Sequence, residues 1–312
     1  MSDSPTSPSS SLLASRPAPA VLTTSRGLVE CATLGEGPAV ICLHGALGGC
    51  DQSLILAKVL SEPGYRHLAV SRPGYLGTPR TSGRTPEAQA DLYAALLDTL
   101  QIDRAAVLAV SGGGPSALHF ALRHPDRCWA LVLVSTPAGP LANRPPLAFR
   151  LMQLLVRVPW IAARMQQKAL QEQEAGARRS IPDPTLFART REDPEAWSLL
   201  LELQASTVDR MAARLAGTDD DVATAARRTY PLEQITTPTL VLQGTADDLV
   251  PFADNGQVFA RRIPGVELLA LTGGSHAAIF SHRPEARARV TAFLRRHRPE
   301  VTVPSAQVAR AH

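Results

Sequence analysis

Ser111 stands where a side chain can act as a nucleophile. It follows the apolar run Ala105–Val110 and begins the turn SGGGP, after which a helical pattern starts. A strand that turns sharply into a helix with Ser at the apex holds the hydroxyl in a strained, exposed position suited to attack on a carbonyl. Small neighbours let strand and helix approach, and the helix N-terminus directs backbone N–H groups at the reacting atoms. The spacing predicts nucleophilic catalysis by Ser111.

The same turn could instead cradle a phosphate. Its spacing fits neither G-x-G-x-x-G nor G-x-x-x-x-G-K-[ST], so this alternative is less favoured. The turn also departs from G-x-S-x-G, because Ala109 replaces the first glycine. Alanine is the next smallest residue, and we expect strand and helix to pack closely in spite of the change.

A histidine suited to act as the base lies late in the chain. His276 follows Gly273-Gly274-Ser275, directly after the strand predicted over Val266–Leu271. Ligands of open α/β sheets bind at the carboxyl ends of the strands, where a loop histidine can reach them. His282 lies six residues further on, and we expect it to be a surface histidine at the start of the last helix.

Two adjacent acids compete for the role of orienting that histidine. Asp247 and Asp248 follow the strand predicted over Thr239–Leu242. A carboxylate at this place can accept the Nδ1–H of the histidine and fix its tautomer. We favour Asp247 because of its G-x-x-D spacing from Gly244, and we expect Asp248 to cap the helix that follows.

The segment HGALGG, residues 44–49, follows a further apolar strand and predicts an oxyanion hole. Two backbone N–H donors would stabilise the charge that develops on a carbonyl oxygen. We expect these donors to come from Gly112 and Ala46, with Leu47 as the alternative for the second. His44 is expected to brace the loop rather than transfer protons.

Alternating strands and helices must position these residues. Continuous apolar runs are typical of strands buried on both faces of a parallel sheet. They occur at Ala39–Leu43, His67–Val70, Ala105–Val110, Ala130–Val134, Thr239–Leu242 and Val266–Leu271. Helical patterns lie between them at Gln52–Leu60, Pro86–Leu100, Pro115–Arg123, Phe252–Arg262 and Arg283–Arg296. The alternation predicts an α/β fold with a doubly wound, mostly parallel sheet, preceded by one or two edge strands within Val21–Leu34.

One long segment interrupts the alternation. Residues 138–237 carry no strand pattern and are expected to form an inserted helical cap. Its helical patterns are Leu147–Val158, Ile161–Gln173, Pro194–Ala205 and Asp219–Arg227, with prolines 145, 159, 182 and 184 between or within them. Ordinary crossover helices are the alternative, but a crossover needs only about a dozen residues. The core is then expected at 21–137 and 238–297.

Apolar side chains near the nucleophile are candidates for substrate binding. They are Leu47, Met152, Trp160 and Trp197, which could line an apolar acyl pocket. The alternative, favoured for most of the cap's apolar residues, is that they pack the cap onto the core.

Composition excludes several other classes. The 312 residues are 45% apolar and 19% charged, with a net charge of +4. The basic residues are scattered, so nucleic-acid binding is not expected, and pairs such as Arg178-Arg179 are expected at solvated helix edges. The four cysteines lack C-x-x-C or metal-ligand spacing and are expected to be reduced.

Neither end of the chain predicts a targeting or anchoring segment. Residues 1–20 are rich in Ser and Pro and are expected to be a disordered tail, as is 298–312. The N-terminus lacks the features of a signal peptide, and no apolar stretch reaches the ~20 residues that span a bilayer. We expect a cytoplasmic location, and the sequence does not indicate an oligomeric state.

Taken together, the motifs resemble the capped α/β-hydrolase superfamily over roughly residues 28–297. The pieces that carry the resemblance are HGALGG, SRPGYLGT, AVSGGGPSALHFALRHPDR, PLEQITTPTLVLQGTADDLVPF and GGSHAAIFSHRPE. Ser71 departs from the pattern, because relatives often carry Asp before Arg-Pro-Gly. The resemblance implies the fold, a Ser-Asp-His triad in that chain order, and catalysis on a small molecule without metal or cofactor. It does not imply a substrate.

A serine nucleophile disfavours haloalkane dehalogenases and epoxide hydrolases, which use Asp at this apex. We expect hydrolysis of a carboxylic ester of small to medium apolar character through an acyl-enzyme. The alternatives on the same triad are a lactonase, a carbon–carbon bond hydrolase, and a cofactor-free perhydrolase or acyltransferase. A non-catalytic ligand receptor is a further alternative, which would bind without turnover.

Overall fold

The structure is a computed structural model that describes residues 17–141 and 147–299. Most of the two predicted tails, residues 1–16 and 300–312, lies outside the described residues. Eight strands form the described sheet: β1 Ala20–Thr24, β2 Gly27–Leu34, β3 Ala39–Leu43, β4 Arg66–Val70, β5 Ala105–Val110, β6 Cys128–Val134, β7 Thr239–Gly244 and β8 Glu267–Leu271.

The strand order is β1-β2-β4-β3-β5-β6-β7-β8. Strands β1 and β2 pair antiparallel, as do β2 and β4, whereas all pairs from β4 to β8 are parallel. The central strands β3, β5 and β6 are buried on both faces, as their continuous apolar sequences require. The predicted doubly wound, mostly parallel sheet is confirmed.

Helices cover both faces of the sheet. They are α1 Cys50–Leu60, α2 Pro86–Thr99, α3 Gly114–Arg123, α10 Gly256–Arg262, α11 Ala278–Ser281 and α12 Arg283–His297. Apolar residues of α2, α3 and α10 form one core with the sheet, and those of α1 and α12 form a second core on the other face. Helix α10 begins four residues later than predicted and has Asn255 at its N-cap, so Asp248 does not cap it.

Six helices fill the chain between β6 and β7, and no strand occurs in the described part of this segment. We call these helices the cap: α4 Leu147–Leu155, α5 Pro159–Gln171, α6 Gln173–Ser180, α7 Pro184–Glu192, α8 Pro194–Val208 and α9 Leu215–Ala225. Helix α7 and nearly all of α6 lie outside the predicted helical patterns, in a stretch where Pro182 and Pro184 favour an interruption. Proline instead begins three of the helices, where its missing N–H needs no acceptor. At α7, Asp183 supplies the N-cap by accepting the Leu186 N–H.

Ion pairs and a backbone hydrogen bond hold the start of α9 against the core. Arg214 is fully buried and bonds both carboxylate oxygens of Asp51 at 3.1 and 2.7 Å. Asp220 accepts two hydrogen bonds from Arg80, both of 2.6 Å. The Gly217 N–H donates to a core carbonyl in the loop after β4 at 2.9 Å. Helix α9 therefore has a fixed position above the sheet edge that carries Ser111.

The side chain of Ser71 is hydrogen-bonded to a carboxylate from the neighbouring strand β2. Glu30 on β2 accepts the Ser71 hydroxyl at 2.5 Å and the Gly77 N–H at 3.2 Å through the same oxygen. The Ser71 hydroxyl in turn accepts the Cys50 N–H at 2.8 Å, which orients the start of α1. The side chain that departs from the family pattern thus sits beside a buried acid supplied by β2.

None of the helices in the described residues has both the length and the apolar character to cross a membrane. The described cysteines, 31, 42, 50 and 128, are buried free thiols.

Candidate active site

Ser111 sits at the apex of a strained turn between β5 and α3. Its φ is +50°, in the left-handed region that side chains other than glycine rarely adopt. The glycines that follow are needed for space. A Cβ on Gly113 would lie 2.7 Å from the carbonyl oxygen of His44, and one on Gly114 would lie 1.9 Å from the Thr136 methyl group. Ala109 is fully buried, so the sheet accommodates its single methyl group.

His276 and Asp247 complete a line of hydrogen bonds from the serine. His276 Nε2 lies 3.1 Å from Ser111 Oγ, and His276 Nδ1 lies 2.9 Å from Asp247 Oδ2. Asp247 is buried, and its Oδ1 accepts the backbone N–H groups of Leu249 at 3.1 Å and Val250 at 2.9 Å. These donors fix the carboxylate, which in turn favours the His276 tautomer with its proton on Nδ1.

The loops that carry the acid and the base interlock at Gly244. A Cβ on this residue would lie 2.1 Å from the carbonyl oxygen of Gly274. The Ala246 N–H also donates to that carbonyl oxygen at 2.9 Å, and the Gly273 N–H donates to the Thr245 hydroxyl at 2.8 Å. The end of β7 must therefore be glycine for the histidine loop to pass over it.

The predicted oxyanion donors lie beside the serine. The Ala46 nitrogen is 3.3 Å from the position that a Cβ on Gly112 would take, and a Cβ on Gly45 would lie 3.2 Å from that of Ser111. The Leu47 N–H is used elsewhere, since it donates to the Thr218 hydroxyl at 3.0 Å. Among the described residues the Ala46 N–H has no acceptor, so it is the one left for a substrate oxygen.

His44 is built into the support of this loop. Its ring is fully buried, and burial followed by the Arg72 charge holds its pKa well below the usual value. Neutral His44 donates from Nδ1 to the Gly45 carbonyl at 2.7 Å, while Nε2 accepts the Arg72 backbone N–H at 3.0 Å. Both ring nitrogens are engaged, and neither faces the serine.

Arg72 and Asp221 are further site residues that the sequence did not single out. Arg72 donates to the carbonyl oxygens of His44 at 2.9 Å and Gly45 at 3.2 Å. Its other guanidinium hydrogens bond Asp221 of α9 at 2.8 and 2.5 Å, and the Tyr75 hydroxyl donates to Asp221 at 2.5 Å. The cap thus contributes the counter-ion of the arginine that holds the oxyanion loop. No local pattern could reveal a pair separated by 149 residues.

A cavity of about 720 Å³ opens at Ser111 and His276 between the core and the cap. Most of its wall is apolar and comes from α1, α8 and the segment around α11; these residues include Ile55, Leu56, Leu200, Leu203, Ala277, Ile279 and Phe280. Three charged residues, Glu172, Arg179 and Asp248, also line it. Glu172 faces Lys168 at 3.9 Å, whereas Arg179 has no acidic partner among the described residues. The cavity therefore carries no net positive charge.

The four predicted substrate-binding side chains do not belong to the described cavity wall. Trp160 is 69% exposed on α5, and Met152 is half-buried on α4. Trp197 packs edge to face against Phe187 with 5.7 Å between ring centroids, which joins α8 to α7. Leu47 has a φ of +56°, and its backbone N–H and carbonyl oxygen bond Thr218 and Gln52. Apolar spacing on a helix could not tell which of its faces meets the substrate.

Two further expectations need correction. His282 is buried rather than on the surface. Its Nε2 bonds the Thr272 carbonyl at 3.1 Å, and its Nδ1 bonds the Ser281 hydroxyl at 3.0 Å. Asp248 is exposed and lines the cavity beside the acid loop instead of capping a helix. In the described residues, no group of three or more His, Cys, Asp or Glu side chains is arranged to hold a metal ion.

Comparison with known proteins agrees with this architecture. The family model for the alpha/beta hydrolase fold matches residues 38–283. An alpha/beta hydrolase fold protein from Nakamurella multipartita superimposes with a TM-score of 0.75 at 35% identity, covering 89% of this chain and 99% of that one.

Two curated relatives are also similar in sequence. The uncharacterized hydrolase YcgS of Bacillus subtilis is 32% identical over 143 residues, which is 45% of this chain and half of that protein. The 2-hydroxy-6-oxononadienedioate/2-hydroxy-6-oxononatrienedioate hydrolase of Burkholderia vietnamiensis is 27% identical, covering 83% of this chain and 87% of that one. The chain belongs to the alpha/beta hydrolase fold family and is an enzyme of the hydrolase class.

Proposed function

We propose that this enzyme is a serine hydrolase that cleaves carboxylic esters through an acyl-enzyme on Ser111. The observation that carries the proposal is the hydrogen-bonded line Ser111–His276–Asp247, with distances of 3.1 and 2.9 Å, at the base of the cavity. A nucleophile, a base and an orienting acid in this order are the parts that acyl transfer needs.

The proposed reaction follows from which atoms face each other. His276 Nε2 accepts the Ser111 hydroxyl proton as Oγ attacks the ester carbonyl carbon. The carbonyl oxygen becomes an oxyanion, held by the N–H groups of Ala46 and Gly112, and the imidazolium then protonates the departing alcohol. Water attacks the acyl-enzyme with His276 again as base, which releases the acid and restores Ser111.

The cavity favours an uncharged, mainly apolar substrate. Aliphatic and aromatic carbons dominate its wall, and the charged residues in that wall are one arginine, Arg179, and two acids, Glu172 and Asp248. A dianion would add two negative charges to a wall that already carries two carboxylates. A neutral ester avoids that repulsion and loses little on leaving water.

A fluorophosphonate probe and p-nitrophenyl esters of rising chain length test the proposal. Labelling and turnover are expected in the wild type and absent in Ser111→Ala. Ser275→Ala is the matched control, because Ser275 lines the same cavity but donates to the Ser180 carbonyl at 2.6 Å. Labelling that survives in Ser111→Ala would show the proposed nucleophile to be wrong.

A second candidate is hydrolysis of a carbon–carbon bond beside a ketone. Arg179 is the observation that favours it, because an unpaired guanidinium in the cavity can bind a substrate carboxylate. The Burkholderia relative is named for hydrolysis of a dioate, a substrate with two carboxylates.

Kinetics with the two substrate classes separate the candidates. If the dioate is the substrate, Arg179→Gln should raise its KM about tenfold or more, as expected for loss of a charge-assisted pair. Turnover of neutral esters should change little. Arg178→Gln is the matched control, because its guanidinium lies over the Phe187 ring at 4.4 Å and outside the described cavity wall. Esters turned over by the wild type, with the dioate left intact, would exclude the second candidate.

A further inference from the structure

Large apolar side chains are exposed mainly on two helices of the cap. Nine such residues are exposed in the described chain, and six of them lie between positions 151 and 170. We call these six the cap patch: Leu151, Leu154, Leu155, Val158, Trp160 and Leu170. Trp160 is 69% exposed and Leu154 is 60% exposed. Such concentration on one part of a surface is typical of an interaction site.

Helix α4 exposes apolar residues on one of its faces. Leu151, Leu154 and Leu155 follow the spacing i, i+3, i+4 and therefore share one face of the helix, yet each of them is exposed. Val158, in the connection to α5, is exposed as well, whereas Val156 beside it is only 2% exposed and packs inward. An exposed run of large apolar side chains on one helix face is typical of a surface that meets an apolar environment elsewhere.

The charged residues of α4, α5 and their connection are all basic, although Asp219 of α9 reaches Gln153 of α4 at 2.9 Å. The sequence contains no Asp or Glu from residue 127 to residue 171, and α4 and α5 with their connection carry Arg150, Arg157, Arg164 and Lys168. The side chains of Arg157 and Arg164 are exposed and have no acidic partner among the described residues. Lys168 pairs only at long range with Glu172, at 3.9 Å.

We propose that the cap patch docks on an anionic lipid surface. Apolar side chains with tryptophan on one side, and arginine or lysine on the polar side, are the features by which a helix lies in a membrane interface. Trp160 would sit at the headgroup level, where its ring meets both the apolar and the polar region. The basic side chains would add attraction to acidic headgroups.

A second copy of the chain fits the same surface less well. In a twofold dimer each protomer presents the same patch, so the uncompensated arginines of one would face those of the other. An anionic surface neutralises the same charges. The docked helices also border the cavity, because α5 contributes Ala169 to its wall, so docking would bring the cavity close to the lipid.

Vesicle binding tests the proposal. The probes are vesicles of phosphatidylcholine alone and of an equal mixture with phosphatidylglycerol, with co-sedimentation as the measurement. The full chain is expected to prefer the anionic vesicles. Leu151→Ser with Leu154→Ser should weaken that binding by about 100-fold, because each buried leucine is worth about tenfold or more. Arg157→Gln with Arg164→Gln should weaken it roughly 25-fold, and less at high salt.

The fluorescence of Trp160 gives a second measurement of vesicle binding. Trp129 is 4% exposed and Trp197 is half-buried, so a blue shift of emission on vesicle binding should come from Trp160 and be lost in Trp160→Phe. Val21→Ser is the matched control, since Val21 is 53% exposed on β1 away from the cap and should bind as wild type. The leucine replacements lie on the surface and should keep turnover of a soluble ester.

Three outcomes would overturn the proposal. One is equal binding of both vesicle types, and another is unchanged binding by the double leucine variant. The third is concentration-dependent dimerisation that the leucine variant abolishes while no vesicle is bound, which would assign the patch to a second copy. Ser111→Ala should bind vesicles as wild type, so a failure of docking and a failure of the proposed ester hydrolysis are separate results.

Discussion

Asp247→Asn keeps the shape of the orienting side chain and replaces one of its acceptors with a donor. In the native enzyme Oδ1 accepts the Leu249 and Val250 N–H groups at 3.1 and 2.9 Å, and Oδ2 accepts the His276 Nδ1–H at 2.9 Å. The amide oxygen of asparagine must take the Oδ1 place, since an NH2 group there would face two donors. The NH2 group then faces His276, whose proton has to move to Nε2. That nitrogen can no longer accept the proton of Ser111.

The expected loss of kcat follows from the free energy needed to restore the His276 tautomer that can accept the Ser111 proton. Flipping the amide leaves two buried N–H groups unbonded, at about 1–3 kcal/mol each, and the imidazolium loses a charged partner worth about 1.5–3 kcal/mol. The sum centres near 6 kcal/mol, which is roughly a 10⁴-fold fall in kcat. KM should change little, because Asp247 is buried and does not line the cavity.

Stopped-flow hydrolysis of the best p-nitrophenyl ester gives the acylation rate and KM separately. Asp248→Asn is the matched control, since it removes the adjacent carboxylate, which lines the cavity without contacting His276. We expect kcat of this control to stay within about threefold of wild type, with at most a small change in KM. A large loss in Asp248→Asn together with a loss below tenfold in Asp247→Asn would refute the assignment of the acid.

Three further measurements test how the fold supports the site. Asp221→Asn should lower the free energy of unfolding by about 3–5 kcal/mol in urea titrations, because it leaves a fully buried arginine unpaired; Asp220→Asn, which breaks a pair with an exposed arginine, should cost about 1 kcal/mol or less. Burial lowers the pKa of His67 from 6.5 to about 4, so the unfolded chain takes up its proton first. The contribution of His67 should be full above the unfolded value and fall by about 2 kcal/mol as the pH drops from about 7.5 to about 5, in addition to the loss from buried His44, and a flat profile in that window would contradict the burial argument. Gly114→Ala should cost about 1–3 kcal/mol in thermal unfolding and reduce kcat, whereas Gly139→Ala, which meets no atom within 4 Å, should do neither.

The sequence predicted the core of this molecule better than its cap. Ser111, Asp247 and His276 each follow a predicted strand rich in apolar residues, and parallel strands bring such positions to one edge of the sheet. The cap lacks that regularity. Its helices are apolar at helical spacing on more than one side, so Trp160 and Trp197 could not be assigned to substrate, core or surface before their packing was known.

The side chains that support the oxyanion loop could not be predicted from the sequence, for a different reason. Arg72 lies within the segment SRPGYLGT, and Asp221 lies within the helical pattern Asp219–Arg227, far away in the sequence. Their meeting depends on where α9 lies over the sheet, which is a property of the whole fold rather than of either segment.

The acid beside Ser71 limits how this loop can change during evolution. Glu30 and Ser71 share one hydrogen bond of 2.5 Å, so a single change of Ser71 to Asp would place two carboxylates in contact within the protein. One of them would have to stay protonated or be repelled. The identity of residue 71 is therefore coupled to that of residue 30, and an acid is best tolerated at only one of the two positions.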